Sequence, residues 1–403
     1  MKKTLILCSH YPLPESIGMN MRTMNFVRFF KQSGSVDIVY SFILPGAHVG
    51  NPIFSNEYHL AKESVKSFQE RFKRWVNIKN RPLPISKYEY ASEKKLLSLI
   101  ESNDYDYIVV RYLINTWSLF KLPVKYKKRT IIDYDDVVSG SLYESSMASA
   151  NGSLRKIRLR WNQKFLINYE KKALNFGASL FCSKEDKLRV VGENDRSNTF
   201  VVPNIHHNES FEGYSFGDGF ANEDNLLFVG TLNYEPNING LKWFVRLVFP
   251  DFKKEFPDAK LLVVGRFPNQ DLKKICEINT DVNLYEDVPD VRDFYKECRA
   301  VIVPLLTGSG TRIKILEAAL ANRPVLSTPV GAEGLDLIEE TDLLQFENAH
   351  QFSAQYRKLR DRDRYNSLIQ SAKKQVLTKY SAQRFNVAME NVLNMLEQKK
   401  HAN

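Results

Sequence analysis

The stretch from Ala300 to Asp336, AVIVPLLTGSGTRIKILEAALANRPVLSTPVGAEGLD, restricts the fold more than any other part of the chain. The apolar run from Ala300 to Val303 predicts a buried strand, and the small and glycine residues after it predict a loop. A helix, a strand that starts at Pro324 and a second glycine loop follow. We therefore expect a strand-loop-helix-strand-loop unit of an α/β protein.

The loop from Thr307 to Thr311 has the features of a phosphate-binding loop. Small side chains leave its backbone N–H groups exposed at the start of the helix, where the dipole favours an anion. Arg312 and Lys314 lie in the first helical turn, where cations are unfavourable unless an external anion compensates them. Glu317 is placed to accept hydrogen bonds from a pair of ribose hydroxyls. The alternative is a tight turn followed by solvated charges on a helix face.

Length and composition favour a protein with two domains. The chain has 403 residues, of which 43% are hydrophobic, enough for two separate cores. It contains no apolar run of about 18 residues, and the start MKKTLILCSHYP becomes polar too early for a signal peptide, so we interpret it as a buried strand. The dispersed cysteines predict buried thiols in a reducing cytoplasm and no disulfide or zinc site. They are Cys8, Cys182, Cys276 and Cys298.

The first half of the chain is strongly basic. Residues 1–205 contain 32 Lys and Arg against 19 Asp and Glu, and the whole chain has a formal net charge of +10. Apolar residues at helical spacing among many cations, from Lys62 to Arg81 and from Ser153 to Lys172, indicate basic amphipathic helices that can lie on an anionic membrane. Their apolar stripes could equally pack on a sheet. We predict an anionic partner such as phospholipid, a lipid-linked phosphate or nucleic acid.

The run GSGTRIKILEAALANRPVLSTPVGAEGL resembles the donor-site motif of glycosyltransferase family 4. Members of that family are retaining enzymes of the GT-B fold that use nucleotide diphosphate sugars. Many carry two glutamates separated by seven residues, the first contacting donor-sugar hydroxyls and the second the ribose. Here Glu317 takes the second position and Ser309 the first, as in the branch with a GSGTR loop. Ser309 and the amides around it would then replace the first glutamate.

The resemblance implies a GT-B fold with two doubly wound parallel-sheet (Rossmann-like) domains facing a central cleft. The second domain would hold the donor, with the backbone near Val288 bonding the nucleobase. Many relatives hold the diphosphate with an Arg and a Lys after the first strand of this domain; GTLNYEPNINGL lacks both, so Arg312 and Lys314 would supply the charge. The implied donor-binding residues are Gly18, Gly230, Thr231, Arg266, Val288, Gly308, Ser309, Gly310, Thr311, Arg312, Lys314 and Glu317.

The first domain would hold the acceptor. Arg22 would face the acceptor, and Arg111 or Tyr112 would occupy the place of a cleft histidine found in some members. Asp133 or Asp136 would orient or deprotonate the acceptor hydroxyl, the alternative being a helix N-cap. The run from Asp133 to Asp136 is similar to a metal-binding Asp-x-Asp, but nothing else in the chain resembles the transferases that use it, so no metal is predicted.

Domain boundaries follow from composition and from the resemblance. We expect an acceptor-binding domain over residues 1–205 and a linker over residues 206–225, which is rich in Gly, Asp and Asn. A nucleotide-sugar-binding domain would span residues 226–380. A last helix, at about residues 381–398, would pack back on the first domain.

The sequence thus predicts a retaining, metal-independent hexosyl-type transfer from a nucleotide diphosphate sugar to a glycan, lipid-linked or protein acceptor. Arg312 and Lys314 would stabilise the departing diphosphate, and no cofactor besides the donor is expected. The process would be bacterial-type cell-surface glycan or glycoconjugate synthesis. We expect the protein in the cytoplasm, either free or peripherally bound at the inner face of the membrane. Alternatives are an epimerase of the same fold, a donor-binding but inactive scaffold, and a nucleic-acid-binding protein, although no recognised nucleic-acid module is present. No Gly-x-Gly-x-x-Gly follows a strand, which disfavours a dehydrogenase.

Overall fold

The computed structural model describes residues 1–15, 18–43, 49–60, 90–137, 139–140, 154–206, 211, 213–221, 223–308 and 310–401. The predicted basic helix from Lys62 to Arg81 and the donor-loop residue Ser309 lie outside these ranges. The chain divides into two units. One comprises Met1–Val202 with Asn386–Asn403, and the other comprises Pro203–Phe385.

The first unit contains a parallel sheet of seven described strands. They are β1 (Lys2–Leu7), β2 (Gly34–Tyr40), β3 (Asn56–His59), β4 (Tyr107–Arg111), β5 (Thr130–Asp133), β6 (Ala178–Phe181) and β7 (Thr199–Val201). Their order in the sheet is β3-β2-β1-β4-β5-β6-β7. The helices are α1 (Gly18–Lys31), α2 (Tyr90–Asn103), α3 (Val124–Lys128), α4 (Leu154–Ala173) and α5 (Lys184–Val191), with a 3-10 helix at Leu113–Lys121.

The central strands of this sheet are buried on both faces. All five residues of β4, YIVVR, are buried, as are all four of β5, TIID. A parallel strand covered on both faces needs a continuous apolar run, so helix packing explains why these strands lack an alternating pattern. The polar side chains at their carboxyl ends, Arg111 and Asp133, are therefore carried into the interior.

The second unit contains a parallel sheet of six described strands. They are β8 (Leu226–Thr231), β9 (Leu261–Arg266), β10 (Val282–Glu286), β11 (Ala300–Val303), β12 (Val325–Ser327) and β13 (Leu344–Gln345). Their order is β10-β9-β8-β11-β12-β13. The helices are α6 (Glu235–Trp243), α7 (Phe249–Glu255), α8 (Gln270–Ile278), α9 (Arg292–Glu297), α10 (Ile313–Leu320), α11 (Pro329–Ala332), α12 (Ala349–Lys358) and α13 (Arg362–Lys379), with a π-helical turn at Phe244–Val248.

Helices cover both faces of the second sheet. Leu226 and Phe228 of β8 belong to one buried apolar cluster, whereas Leu227 and Val229 belong to another. Alternate residues of a strand point to opposite faces, so each face has its own core. The prediction of two doubly wound parallel sheets is confirmed.

The last helix, α14 (Ala382–His401), returns to the first unit. Glu397 accepts hydrogen bonds from Lys2 Nζ at 2.8 Å and from the Tyr107 hydroxyl at 2.5 Å. Both partners lie on neighbouring strands of the first sheet, β1 and β4. No helix in the described ranges is long and apolar enough to cross a membrane.

Several boundaries differ from those expected. Strand β1 ends at Leu7, and backbone hydrogen bonds of Cys8 and Ser9 and an isolated bridge at His10 continue its pairing beyond the strand. The second glycine loop contains the short helix α11, because the Thr328 side chain accepts a hydrogen bond from Gly331 N at 3.0 Å and caps it. Local hydrogen bonds of this kind are not visible in a pattern of apolar residues.

The described residues of the segment predicted as a linker, residues 206–225, belong to the second unit. Phe211 and Phe216 are buried in its core, against Tyr295. The guanidinium of Arg323 donates to the carbonyl oxygens of Phe216 at 2.5 Å and of Tyr295 at 2.6 Å. Two aromatic side chains and this buried cation hold the segment, despite a composition typical of a loop.

The strand order reverses once in each sheet. In the second sheet the chain moves outwards from β8 to β9 and β10, then returns to β11 on the other side of β8. Ligands of such sheets bind at the carboxyl ends of the strands that flank this reversal. The corresponding strands of the first sheet are β1 and β4. Both places carry residues singled out from the sequence.

Candidate functional site

The loop between β11 and α10 turns sharply at two glycines. Gly308 has φ 125° and Gly310 has φ 79°, a left-handed conformation that costs little only for glycine. Thr311 is buried, and its hydroxyl oxygen accepts a hydrogen bond from Asn204 Nδ2 at 2.7 Å. The loop is therefore fixed in place ahead of the N-terminus of α10, as the sequence suggested.

Arg312 occupies the N-cap position of α10, one residue before the helical turn in which it was predicted. Only 8% of the residue is exposed, and its Nη1 donates to the carbonyl oxygen of Gly310 at 2.6 Å. The guanidinium thus folds back over the loop that precedes it and places a positive charge beside the backbone of the two glycines.

Lys314 points along α10 toward the end of β8. Its Nζ donates to Asn237 Oδ1 at 3.1 Å and lies 4.0 Å from the centroid of the Phe228 ring. Burial, together with the charge of Arg312, lowers the pKa of Lys314 to about 7, although Glu317 opposes the shift. A lysine in this state gains a proton readily when an anion arrives.

The end of β8 leaves room for this lysine because residue 230 is glycine. A Cβ atom at Gly230 would lie 2.9 Å from Asn237 Nδ2 and 3.0 Å from Lys314 Nζ. Asn237 Nδ2 donates to the carbonyl oxygen of Thr231 at 2.8 Å. Gly230, Thr231 and Lys314 therefore form one connected group at the carboxyl ends of the strands.

Arg266 and Val288 lie on the same edge of the sheet, after β9 and β10. Thr231 is paired in register with Arg266, so the ends of β8 and β9 are adjacent. The Arg266 side chain is 38% exposed, and its Nε lies 4.0 Å from Asp287 Oδ1. Val288 packs, partly buried, against the core of the second unit.

Glu317 is held by contacts to both of its carboxylate oxygens. Oε2 accepts a hydrogen bond from the Tyr295 hydroxyl at 3.2 Å, and Oε1 lies 3.6 Å from His206 Nε2. Burial and the Glu317 carboxylate raise the pKa of Tyr295 well above its usual value, so the hydroxyl keeps the proton that it donates. The Glu317 side chain retains 14% exposure.

Four residues of this group were not predicted from the sequence: Asn204, His206, Asn237 and Tyr295. They reach the site from other elements, and Asn204 contacts a residue 107 positions away. One signal was available, because Asn204 and His206 follow β7 directly, where polar residues after a buried strand indicate a site. Asn237 fills the region in which the family usually places a cation.

The first unit carries a buried charge cluster formed by Arg22, Arg111, Asp133 and Asp135. Asp133 accepts from Arg22 Nε at 3.0 Å, from Arg22 Nη2 at 2.6 Å and from Arg111 Nη1. The side chains of Arg22, Arg111 and Asp133 are at most 1% exposed. Arg111 Nη2 donates to Asp135 Oδ2 at 2.9 Å.

This cluster bears on three predictions, which stay predictions. Arg22 and Arg111 were expected to face the acceptor, and Asp133 was expected to contact its hydroxyl. In the structure the two guanidinium groups and the carboxylates of Asp133 and Asp135 balance one another in charge in the interior, where an unpaired charge would be very costly. The sequence shows where strands end but not which charges meet there.

Tyr112 and Asp135 adopt left-handed backbone conformations beside the charge cluster, with φ 67° and 53°. Burial alone would raise the pKa of Asp135, but Arg111 and Arg22 outweigh it and lower the pKa to about 2. Burial, with the Asp135 charge, raises the pKa of Tyr112 well above its usual value. Asp136 is partly exposed, whereas the side chain of Asp135 is 11% exposed and that of Asp133 is fully buried.

Gly18 is the first residue of α1 and is partly exposed. It belongs to the first unit, at the carboxyl end of β1. In the ranges that the structure describes, no group of three or more His, Cys, Asp and Glu side chains is arranged to hold a metal ion.

Two doubly wound parallel sheets, the second with a glycine loop and a helix N-terminus at its strand reversal, form the GT-B fold. Residues 223–361 match the family model described as glycosyl transferases group 1. The match confirms the family resemblance seen in the sequence. The retaining mechanism and the role of the GSGTR loop stay predictions.

A relative from Klebsiella pneumoniae, described as an uncharacterized 44.6 kDa protein in cps region, is 27% identical over 257 residues. The alignment covers 61% of this chain and 63% of the relative, slightly less than two thirds of the relative's length. It therefore relates this chain to part of that protein.

Solved structures extend the likeness over nearly the whole chain. Sucrose-phosphate synthase from Thermosynechococcus elongatus has a TM-score of 0.73 at 15% identity and covers 99% of this chain and 100% of its own. Anabaena HepE in complex with UDP-glucose has a TM-score of 0.69 at 11% identity, with 99% and 100% covered. WaaG, a glycosyltransferase involved in lipopolysaccharide biosynthesis, has a TM-score of 0.62 at 13% identity, with 96% and 98% covered. At these identities the likeness establishes the fold.

Proposed function

We propose that the protein transfers a hexosyl-type sugar from a nucleotide diphosphate donor, bound by the second unit, to an acceptor hydroxyl. The observation that carries the proposal is the grouping of the glycine loop, Lys314 and Glu317 at the strand reversal of the second sheet. The loop and the helix N-terminus suit a diphosphate, and the carboxylate suits a pair of ribose hydroxyls. The match to the group 1 family supports this assignment.

The same groups suit the bond-breaking step. Cleavage of the bond between the anomeric carbon and the diphosphate oxygen leaves negative charge on the diphosphate and positive charge on the sugar ring. Backbone N–H groups at Gly308 to Thr311, with Arg312 and Lys314, would stabilise the departing diphosphate more than the intact donor, which accelerates the reaction. We propose that these groups suffice without a metal or cofactor.

For retention of configuration, we propose that the departing phosphate takes the proton of the acceptor hydroxyl. The oxygen of that hydroxyl then bonds the anomeric carbon on the face that the diphosphate leaves. No side-chain nucleophile is needed in this scheme. The acidic residue that we assign to the acceptor is Asp136, since Asp133 is already neutralised by Arg22 and Arg111.

The relatives suggest substrates. HepE was solved with UDP-glucose, WaaG is described as acting in lipopolysaccharide biosynthesis, and the Klebsiella protein is described as in a cps region. We propose that this protein uses a UDP-linked hexose and contributes to a cell-surface polysaccharide or glycoconjugate. The acceptor would be a glycan or a lipid-linked or protein-linked sugar, and the enzyme would work in the cytoplasm at the inner face of the membrane.

Nucleotide binding by Glu317→Ala tests the proposal. Calorimetry with UDP, GDP and ADP should give one preferred nucleotide for the wild type, and Glu317→Ala should bind that nucleotide about tenfold to a hundredfold more weakly, the loss expected for hydrogen bonds to a charged group. Glu347→Ala, an exposed acidic residue of the same unit, is the matched control and should bind like the wild type. Failure of the wild type to bind any of the three, or unchanged affinity of Glu317→Ala, would contradict the proposal. Turnover with acceptor present separates transfer from epimerisation, which needs no acceptor.

A further inference from the structure

His206 is buried beside Glu317, and the proposed reaction does not yet use it. Its side chain is 3% exposed, and its Nε2 lies 3.6 Å from Glu317 Oε1. A carboxylate only accepts hydrogen bonds, so the ring nitrogen that faces it carries the hydrogen. The distance is long for a hydrogen bond, as is common before a ligand tightens a site.

Aromatic side chains fix the orientation of the imidazole. The Phe211 ring meets it edge to face, with centroids 4.8 Å apart and planes at 83°. Phe211 also stacks on Phe216 at 5.3 Å and contacts Tyr295 at 6.3 Å. The ring therefore cannot turn away from Glu317 without disturbing this aromatic cluster, which belongs to the core of the second unit.

The second ring nitrogen indicates why the histidine is present. Among the residues that the structure describes, His206 Nδ1 has no hydrogen-bond partner although it is buried. A histidine that serves only to connect parts of a core usually satisfies both nitrogens. Of the two ring nitrogens, Nε2 faces a polar partner, the Glu317 carboxylate. We therefore look for the function of His206 at this carboxylate.

We propose that His206 is a positioning residue of the donor site, which orients the Glu317 carboxylate toward the ribose hydroxyls of a nucleoside diphosphate. The inference rests on the proposed role of Glu317 in donor binding. Tyr295 donates to Oε2, and His206 Nε2 faces Oε1 at 3.6 Å, so each oxygen keeps an acceptor site for a ligand. Two remaining acceptors match the 2′- and 3′-hydroxyls of one ribose.

A matched pair of variants tests this role. In His206→Gln the amide nitrogen can reach the place of Nε2, whereas in His206→Asn the shorter amide reaches only the place of Nδ1. The probes are the preferred nucleoside diphosphate and its 2′,3′-dideoxy analogue, and the readout is the ratio of their dissociation constants. We expect His206→Asn to lose about tenfold of the preference for ribose, a loss of about 1.4 kcal/mol, and His206→Gln to keep most of it.

The double variant with Glu317→Ala shows whether His206 acts through Glu317. In that background His206→Asn should not change the ribose preference further, because the carboxylate that it orients is absent. His350→Asn, an exposed histidine on α12, is the control and should match the wild type. Equal weakening of the ribose and dideoxy nucleotides by His206→Asn, or an unchanged preference, would overturn the inference while leaving the proposed function intact. A wild type that binds no nucleoside diphosphate would remove both.

Discussion

Lys314 combines a position suited to a phosphate with an unusual protonation equilibrium. Burial over the Phe228 ring and the nearby Arg312 lower its pKa from 10.5 to about 7. The negative charge of a bound diphosphate would outweigh both influences and restore the charge of the lysine. The lysine would therefore be mostly neutral in the free protein at pH 8 and charged in the complex.

We predict that binding of the nucleoside diphosphate takes up close to one proton at pH 8, measured by calorimetry in buffers of different ionisation enthalpy. The affinity should fall by up to about tenfold per pH unit above pH 7, since the protonated lysine becomes scarcer. Lys314→Met should abolish the uptake and weaken binding. Lys242→Met, which removes a partly exposed lysine paired with Asp271, should change neither. If proton uptake persists in Lys314→Met, a group other than Lys314 takes up the proton.

The same lysine affects folding in a defined pH window. Its folded-state pKa lies below its ordinary value, so the unfolded chain binds more protons between about pH 7 and pH 10.5. The contribution of Lys314 therefore makes the protein more stable as the pH rises through that window. The penalty is complete below pH 7, where the ammonium is charged in both states.

At the scale of secondary-structure elements, the buried charge cluster of the first unit joins one helix and two strands. Arg22 comes from α1, Arg111 from the end of β4 and Asp133 from the end of β5. Arg22 Nη1 also donates to the carbonyl oxygen of Val202 at 3.0 Å, just beyond β7. The cluster thus ties the carboxyl ends of the strands to the helix that follows β1.

We predict that Asp133→Asn lowers the free energy of unfolding by about 3–5 kcal/mol, because two buried guanidinium groups would then share the single carboxylate of Asp135. Asp136→Asn should change stability by less than about 0.5 kcal/mol, because its side chain is partly exposed, and should lower turnover at least about tenfold. Chemical denaturation and a transfer assay give the two quantities. Normal stability with lost turnover in Asp133→Asn would restore the original prediction that Asp133 contacts the acceptor.

At the scale of the whole molecule, the excess of positive charge belongs to the first half of the sequence. The helix α4 lies in that half and carries Trp161, whose surface is 51% exposed, with Phe165 against it. An exposed aromatic residue among cations is typical of proteins that attach to the headgroup region of anionic lipid. We propose that this half contacts the membrane surface.

We predict that vesicles with a high content of anionic lipid sediment the protein at about 0.01 M salt and release it at about 1 M, since the screening length falls from roughly 30 Å to 3 Å. Trp161→Ala should reduce the bound fraction. Leu247→Ala, which removes a 65% exposed apolar side chain from the second unit, should leave it unchanged. Binding that is insensitive to salt, or absent at low salt, would count against the membrane contact.

Much of the fold could be predicted from the chain alone. The strands Tyr107–Arg111, Thr130–Asp133 and Ala300–Val303 lie where the apolar runs placed them. The glycine loop and α10 also follow the local pattern, because glycines at positive φ and a helix after a buried strand depend on neighbouring residues. The packing of Phe211 and Phe216 could not be predicted from composition, since it depends on partners distant in the sequence.

The sequence by itself determined the doubly wound α/β architecture and the position of the donor loop, because hydrophobic period and turn chemistry act over a few residues. Only the tertiary structure decided which charged groups are available to a ligand. Asp133 is neutralised by Arg22 from 111 positions away, and Glu317 acquires His206 and Tyr295 from separate elements. Such pairings depend on distances through space, because the electrostatic energy of two charges falls with the inverse of their separation. They leave no periodic pattern along the chain.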